Sequence, residues 1–456
     1  MVEDAALAHY GPSKVIRVYV VTNALFTLAA SLIWAINTLF LIRAGGMSLA
    51  LVFVINASFT ASQMVCEVPT GVIADTLGRK LSFLLSIGIL VVSTLIYVLS
   101  AQMHWGFWGF VVGSVLLGLG FTFQTGAVDA WMVDALDATG YDGPKERVFA
   151  LNAEVSGTVL VVGPLLGGVL GGVSLLLPYY LRAAALLGAF VAVAVMMREV
   201  GFTPRALTLR TFWTETRTIA TAGTLFGWRS RTVRPLLWIS GLQGVFWMYG
   251  FYSLSPWLLE LIGKDYVWLT GAVFSVFSLA GIAGNMLVRR RLRLRADKPD
   301  RDPARFLAAI AAVVAALIGA AGLFGVFAAR MPGGLASFAV VAGLWVVLGF
   351  VGGVSGPIAS AYINAHIPSA QRATVLSLSS LFGDAGGVAG QPALGYSAQA
   401  FGIAPTWVVS GLLMAGVTPL YLMSGRAVAR EALAAEASRN GGPAVDGEGQ
   451  SRSAIS

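Results

Sequence analysis

Asp384 is the acid that most needs an explanation. It lies in Gly383-Asp-Ala-Gly-Gly-Val-Ala-Gly-Gln-Pro392, within an otherwise apolar and small-residue stretch. An ionisable side chain inside a membrane-crossing segment is costly and marks function by default. If that helix starts near Arg372, a rise of ~1.5 Å per residue carries Asp384 about 18 Å in, near the middle of a bilayer. Glu67, in Glu67-Val-Pro-Thr-Gly71, is a second such acid, about 10 Å from the end of its segment by the same rise. Glu154 is a third, about one and a half turns into another apolar stretch, shallow enough for a salt bridge at the membrane surface to compete with a coupling role. Two carboxyls buried together lose hydration and repel each other, so such a pair can take and release a proton near neutrality.

Glu67, Gly71 and Asp75 stand four residues apart and share one helix face, on which the small Gly71 lets a neighbouring backbone come close. The segment then ends in Gly78-Arg79-Lys80. Gly78 permits a tight turn, and the basic pair can reach carbonyls or phosphates before the next apolar run starts at Leu81.

The elements that must hold these residues follow from composition. Of 456 residues, 57% are hydrophobic and 11% charged, against about 25% charged in a soluble domain, so the chain is an integral membrane protein. Its 54 glycines suit membrane helices that pack closely without a hydrophobic driving force. The single Cys66 excludes an internal disulfide, and His9, His104 and His366 are too scattered to ligate a metal. No cofactor is expected.

A span takes about 20 apolar residues. Such runs lie near 18–42, 48–74, 81–101, 107–128, 149–172, 177–198, 234–262, 266–288, 306–329, 337–364, 373–400 and 404–424, twelve spans in all. The first is too long for a signal h-region and lacks a cleavage site. With the N-terminus inside, Arg43, Arg182, Lys264 and Arg330 are the basic residues among 30 that fall at or near the outer face. The positive-inside rule then puts both termini in the cytoplasm. The basic excess is topological, which argues against nucleic-acid binding, although Arg289-Arg-Arg-Leu-Arg-Leu-Arg295 could touch anionic lipid.

The longest inner connection, 199–233, divides the spans six and six and contains a mixed apolar and Arg/Thr stretch from Leu207 suited to an interfacial helix. The expected organisation is a first bundle at 1–198, this linker, a second bundle at 234–424, and a disordered cytoplasmic tail at 425–456. A shift of 210 residues sets Gly71, Asp75, Arg79 and Lys80 on Gly281, Asn285, Arg289 and Arg290. The halves repeat, with the acid lost in the second copy.

The spacing Gly71-x3-Asp75-x2-Gly78-Arg79-Lys80 resembles the loop between helices 2 and 3 of major facilitator superfamily transporters. Glu67-Val-Pro-Thr-Gly71 is similar to the drug:proton antiporter, or drug-efflux, branch. The resemblance implies an all-α membrane protein of twelve transmembrane helices in two pseudo-symmetric six-helix bundles, related by an axis along the membrane normal. It implies that the Glu67 face of the second span meets the eleventh, bringing Glu67 and Asp384 close together. It also implies that Asp129 or Asp134, at the end of the fourth span, pairs with Arg79. Asp75 would then face the start of the eleventh span near Ala373-Thr374, latching the cytoplasmic side while the protein opens outward. Gly163-Pro164-x2-Gly167-Gly168 looks like the fifth-helix motif of antiporters, although Ala150 and Val159 stand where that pattern has glycine. Ser114 stands where the family's fourth-helix motif has arginine, so any proton coupling rests on the acids.

A cargo site belongs between the halves at mid-depth. Trp34, Asn37, Gln124, Gln243, Trp247 and Tyr249 supply aromatic faces and a few hydrogen bonds there, which suits an apolar compound. The resulting expectation is a monomeric, non-enzymatic transporter of the inner or plasma membrane, exporting a small, largely apolar compound against protons. Its partners would be that small-molecule substrate, protons and membrane lipids, with no nucleic acid. Uptake of a sugar or metabolite on the same fold is the alternative.

Overall fold

The computed structural model describes residues 10–203, 217, 221, 227–294, 302–328, 334–367 and 371–439. The expected interfacial helix of the linker lies outside the described residues, as does most of the tail. Fifteen helices are found among the described residues. The first eight are α1 (Pro12–Ser31), α2 (Asn37–Arg43), α3 (Leu49–Leu77), α4 (Arg79–Gln102), α5 (Gly106–Gln124), α6 (Ala127–Ala138), α7 (Lys145–Val173) and α8 (Leu177–Met196). The others are α9 (Val233–Ile262), α10 (Val267–Leu294), α11 (Pro303–Ala328), α12 (Leu335–Ala365), α13 (Arg372–Phe401), α14 (Ile403–Ala415) and α15 (Val417–Arg439). No strand occurs among the described residues.

Among the described residues, ten helical stretches are long and apolar enough to cross a membrane. Helices α9 and α13 are as long but more polar, α9 through its Trp, Tyr, Ser and Gln residues and α13 through Ser, Gln and Asp384. Two expected spans are not continuous. The first breaks between Ser31 and Asn37. The fourth breaks at Gly126, whose φ of +74° an L side chain rarely adopts, and resumes as α6. Helix α15 runs on to Arg439, past the bundle boundary expected at 424.

Helices α1–α8 pack among themselves, as do α9–α15, and contacts of α3 with α13, α7 with α10 and α2 with α9 cross between the two groups. The apolar cores show where the groups join. Toward the end carrying Arg79, here the basic end, they are separate: Phe83, Trp131 and Leu186 centre one core within α1–α8, and Val233, Val375 and Leu378 belong to another. A third core takes in residues of both groups, including Phe40, Phe53, Tyr249 and Trp257. Burial of apolar area therefore ties the groups together away from the basic end, and each stands on its own core near it.

Candidate functional site

The α3–α13 seam shows how this division treats the two acids. A Cβ on Gly395 would stand 2.6 Å from Phe53 Cβ, so α13 lies hard against α3 at that level. About two turns along α3 and one along α13, fully buried Gln391 donates through Nε2 to Thr60 Oγ1 at 3.0 Å. Thr60 plus seven is Glu67, and Gln391 minus seven is Asp384. One heptad, ~10 Å, carries the same two stripes to the two carboxyls. There the helices no longer enclose what lies between them: Glu67 is exposed and Asp384 half-buried. The two carboxylates remain within electrostatic reach of each other, and neither forms an ion pair among the described residues. The result is a pair of acids on neighbouring helices toward the basic end, less enclosed than the Thr60–Gln391 contact. Glu154 is exposed on α7 and likewise has no ionic partner among the described residues.

The turn between α3 and α4 consists of Gly78 alone, at φ +107°. Arg79 opens α4 and lies 3.3 Å from Asp134 on α6 and 3.9 Å from Asp75 one turn back. Asp129 does something else, accepting a 2.6 Å hydrogen bond from the Tyr19 hydroxyl of α1. Lys80 donates through Nζ to Ala194 O at 2.9 Å, at the C-terminal end of α8, where a cation is favoured. The backbone N–H of Lys80 is taken by Glu199 Oε2 at 2.8 Å, so Glu199 caps α4. Burial pushes the Glu199 carboxyl up from its ordinary value, opposed by the Lys80 N–H and the charge of Arg79. Gly71 does not receive a neighbouring backbone in this conformation: a Cβ there would meet nothing within 4 Å.

Both glycine stripes of α7 are packing surfaces. Gly163 and Gly167 sit against Ser31 and the carbonyl of Leu32, in and beside the break of the first span. Gly168 sits against Gly271 of α10, where an added Cβ would stand 2.8 Å from Gly271 Cα. Pro164 lends its carbonyl to that same approach. Ser275 on α10 donates to Val161 O of α7, and Ser255 on α9 donates to Ala35 O in the break at 2.6 Å.

The residues expected to hold cargo separate into three groups. Gln243 and Trp247 line one cavity of about 310 Å³. Trp34, in the break, is half-buried and turns edge-on to Phe251, with ring centroids 5.6 Å apart; Gln124 is half-buried at the end of α5. Asn37 and Tyr249 do not face a cavity in this conformation. Asn37 accepts from the Tyr179 hydroxyl at 2.8 Å and donates to Asn56 Oδ1 at 3.2 Å, which uses up its amide inside the first group of helices. Tyr249 is fully enclosed against Phe53, with centroids 5.1 Å apart.

Arg182, expected near the outer face and without a role, has a side chain only 1% exposed. It donates through Nη1 to Ala29 O at 2.6 Å and through Nε to Thr94 Oγ1 at 3.0 Å. No carboxylate pairs with it among the described residues. Its counter-charge is the negative C-terminal end of α1, created by the break. The lone charge in an apolar stretch was the available signal; the break that calls for it was not visible. No group of three or more metal-ligating side chains occurs among the described residues.

Comparison with known proteins agrees with this architecture. Residues 19–320 match the family described as Major Facilitator Superfamily. Over 103 residues the chain is 33% identical to the raffinose permease of Escherichia coli, covering 21% of this chain and 24% of the permease. That match spans about a quarter of the relative's length. Among solved structures the chain is similar to the nucleoside transporter NupG, with a TM-score of 0.71 at 13% identity, covering 91% of this chain and 99% of that one. It is also similar to a POT family transporter in complex with 5-aminolevulinic acid, with a TM-score of 0.70 at 14% identity, covering 89% and 95%. At such identities the likeness is one of fold. With a family match over more than half its length, a helical fold shared with transporters and ten membrane-length apolar stretches, the chain belongs to the Major Facilitator Superfamily.

Proposed function

We propose that the chain is a twelve-span, proton-coupled exporter of a small, largely apolar compound, with α9 and α13 crossing the membrane beside the ten more apolar stretches. Its two six-span halves, 1–198 and 234–424, rock about the α3–α13 and α7–α10 seams. The basic end lies in the cytoplasm of a cell bounded by this inner or plasma membrane, so the present conformation opens inward. The observation that carries the reading is the placement of Glu67 and Asp384 one heptad beyond the Thr60–Gln391 contact, on neighbouring helices and within electrostatic reach of each other. When the halves close at the basic end, both carboxyls are enclosed and one must be protonated. When they part, water can take the proton. Arg79, Asp75 and Asp134 form the charge cluster that docks during closure, and Gly71 supplies the clearance for it. The cargo leaves chemically unchanged, so no catalytic group is required.

The test is flux in inverted vesicles from a strain stripped of its own pumps, with a panel of dyes and antibiotics. An exporter loads such vesicles as protons leave the lumen, and Asp384→Asn abolishes that pH-driven loading. Loading of right-side-out vesicles with entering protons would favour the second reading, uptake of a polar metabolite, whose specific support is the short match to a raffinose permease.

A further inference from the structure

The cavity of about 310 Å³ that holds Gln243 and Trp247 does not lie between the halves. Its walls come from α9, α11, α12, α14 and α15, all within the second half, and among the described residues no side chain of α1–α8 reaches it. Its volume is at the lower end of the range for small-molecule sites, ~300–1,000 Å³.

Helix α12 shows that this space is not a packing fault. It carries two glycine registers that meet different surroundings. Gly349 and Gly353 are pressed against Phe277 and Gly281 of α10, and a Cβ on Gly349 would stand 2.7 Å from the Phe277 ring. Gly352 and Gly356, on the cavity wall, would place a Cβ within 4 Å of nothing. A glycine inside a helix is unfavourable relative to alanine. At 349 and 353 close helix contact compensates for it; at 352 and 356 no neighbour does, and what the missing side chains leave is room.

The polar side chains on the wall are few, and two of them are unpaired. Gln243 and Tyr421 have no hydrogen-bond partner among the described residues, so an amide and a phenol stand ready to donate and accept. Ser355 gives its proton to Gly352 O at 3.1 Å and retains acceptor capacity toward the cavity. Trp247, edge-on to Trp345 with centroids 6.2 Å apart, supplies a flat apolar wall. No Asp, Glu, Lys, Arg or His lines the space. A charged guest would enter without a counter-ion, at the cost of its hydration.

We propose that this cavity is a binding site inside the second half for a small uncharged compound with a ring-bearing apolar body and one hydrogen-bonding head. The body lies along Trp247 and over Gly352, and the head is read by Gln243. This rests on the transport reading insofar as the guest is the cargo, and it then restricts the cargo to neutral compounds.

The experiment is equilibrium binding of tritiated benzanilide, a neutral two-ring amide, to the purified full chain in lipid nanodiscs, with empty nanodiscs subtracted. Saturable binding is expected. Gly352→Leu, which fills the cavity without meeting a neighbour, should weaken it at least tenfold, and Gln243→Leu should do the same by removing the head's partner. Leu95→Ala, on an exposed face of α4 in the first half, should leave it within twofold of the parent. Benzyltrimethylammonium, ring-bearing but cationic, should not compete. If Gly352→Leu folds poorly, Gly352→Ala with Gln243→Leu gives the same comparison. Absence of saturable binding to the parent, undiminished binding to Gly352→Leu and Gln243→Leu, or displacement by the cation would each overturn the proposal. Saturable, Gly352-dependent binding with no flux in vesicles would sink the transport reading and leave this site standing. Pump activity unaltered by Gly352→Leu would leave the transport reading standing and overturn the guest as its cargo.

Discussion

At the scale of single residues, the acids and Arg182 are opposite solutions to placing charge in a membrane protein. Glu67 and Asp384 have no cationic partner among the described residues and are not enclosed by their neighbours. Asp384→Asn is therefore expected to keep the folded protein's melting temperature within about 2 °C of the parent, a shift below ~1 kcal/mol. It should still remove the pH dependence of transport. Arg182 is enclosed; its Nη1 and Nε are committed to Ala29 O and Thr94, and its Nη2 has no partner among the described residues. Arg182→Ala leaves both acceptors unpaired and should cost about 2–4 kcal/mol, measured as a lowered melting temperature in detergent. Lysine should not restore it, because a single ammonium cannot reproduce the two-armed geometry. The distance of Asp384 from the start of its helix could be read from sequence, since α13 does begin at Arg372. The enclosure of Asn37 and Tyr249 could not, because it depends on which face of each helix its neighbours cover.

At the scale of elements, the sequence was most legible where local chemistry decides, as at Gly78, where a lone positive-φ residue reverses the chain. It was least legible where the partner is remote: Glu199, which caps α4 through the Lys80 N–H, lies 119 residues away. Glu199→Ala should cost about 0.5–2 kcal/mol, as removing an N-cap acceptor does. Because burial raises the Glu199 carboxyl, its contribution to stability is present at acid pH and is lost as the pH rises through the raised value. Glu199→Gln keeps the acceptor and should flatten that part of the stability profile, as seen in chemical denaturation across pH. The glycines of α3 and α7 should respond in opposite ways. Gly168→Val forces a side chain onto Gly271 and should cost about 1–3 kcal/mol as overpacking. Gly71→Leu points into open space here and should change stability by less than about 0.5 kcal/mol. It should nonetheless stop transport by propping the basic end apart.

At the scale of the whole molecule, the distribution of apolar cores turns helix packing into a hinge. One core takes in both halves away from the basic end, while each half has its own near it. Closing the basic end therefore need not unmake either local core. A six-plus-six organisation was expected from the spacing of apolar runs and from the repeat of Gly71-x3-Asp75 at Gly281-x3-Asn285. The cavity inside the second half was not, because Gly352 and Gly353 differ only in what stands opposite them. The central claim is that protonation of Asp384 closes the basic end, and spin-label distances measure this without knowledge of the cargo. Cys66→Ser removes the single native thiol, and labels at Val68 and Leu376, both exposed on neighbouring helices, report the separation of those helices in nanodiscs by pulsed electron resonance. Two distance populations are expected, the shorter gaining weight at pH 5.5 over pH 8.0, with Asp384→Asn holding the short one at both. A single distance indifferent to pH and to Asp384→Asn would contradict the account.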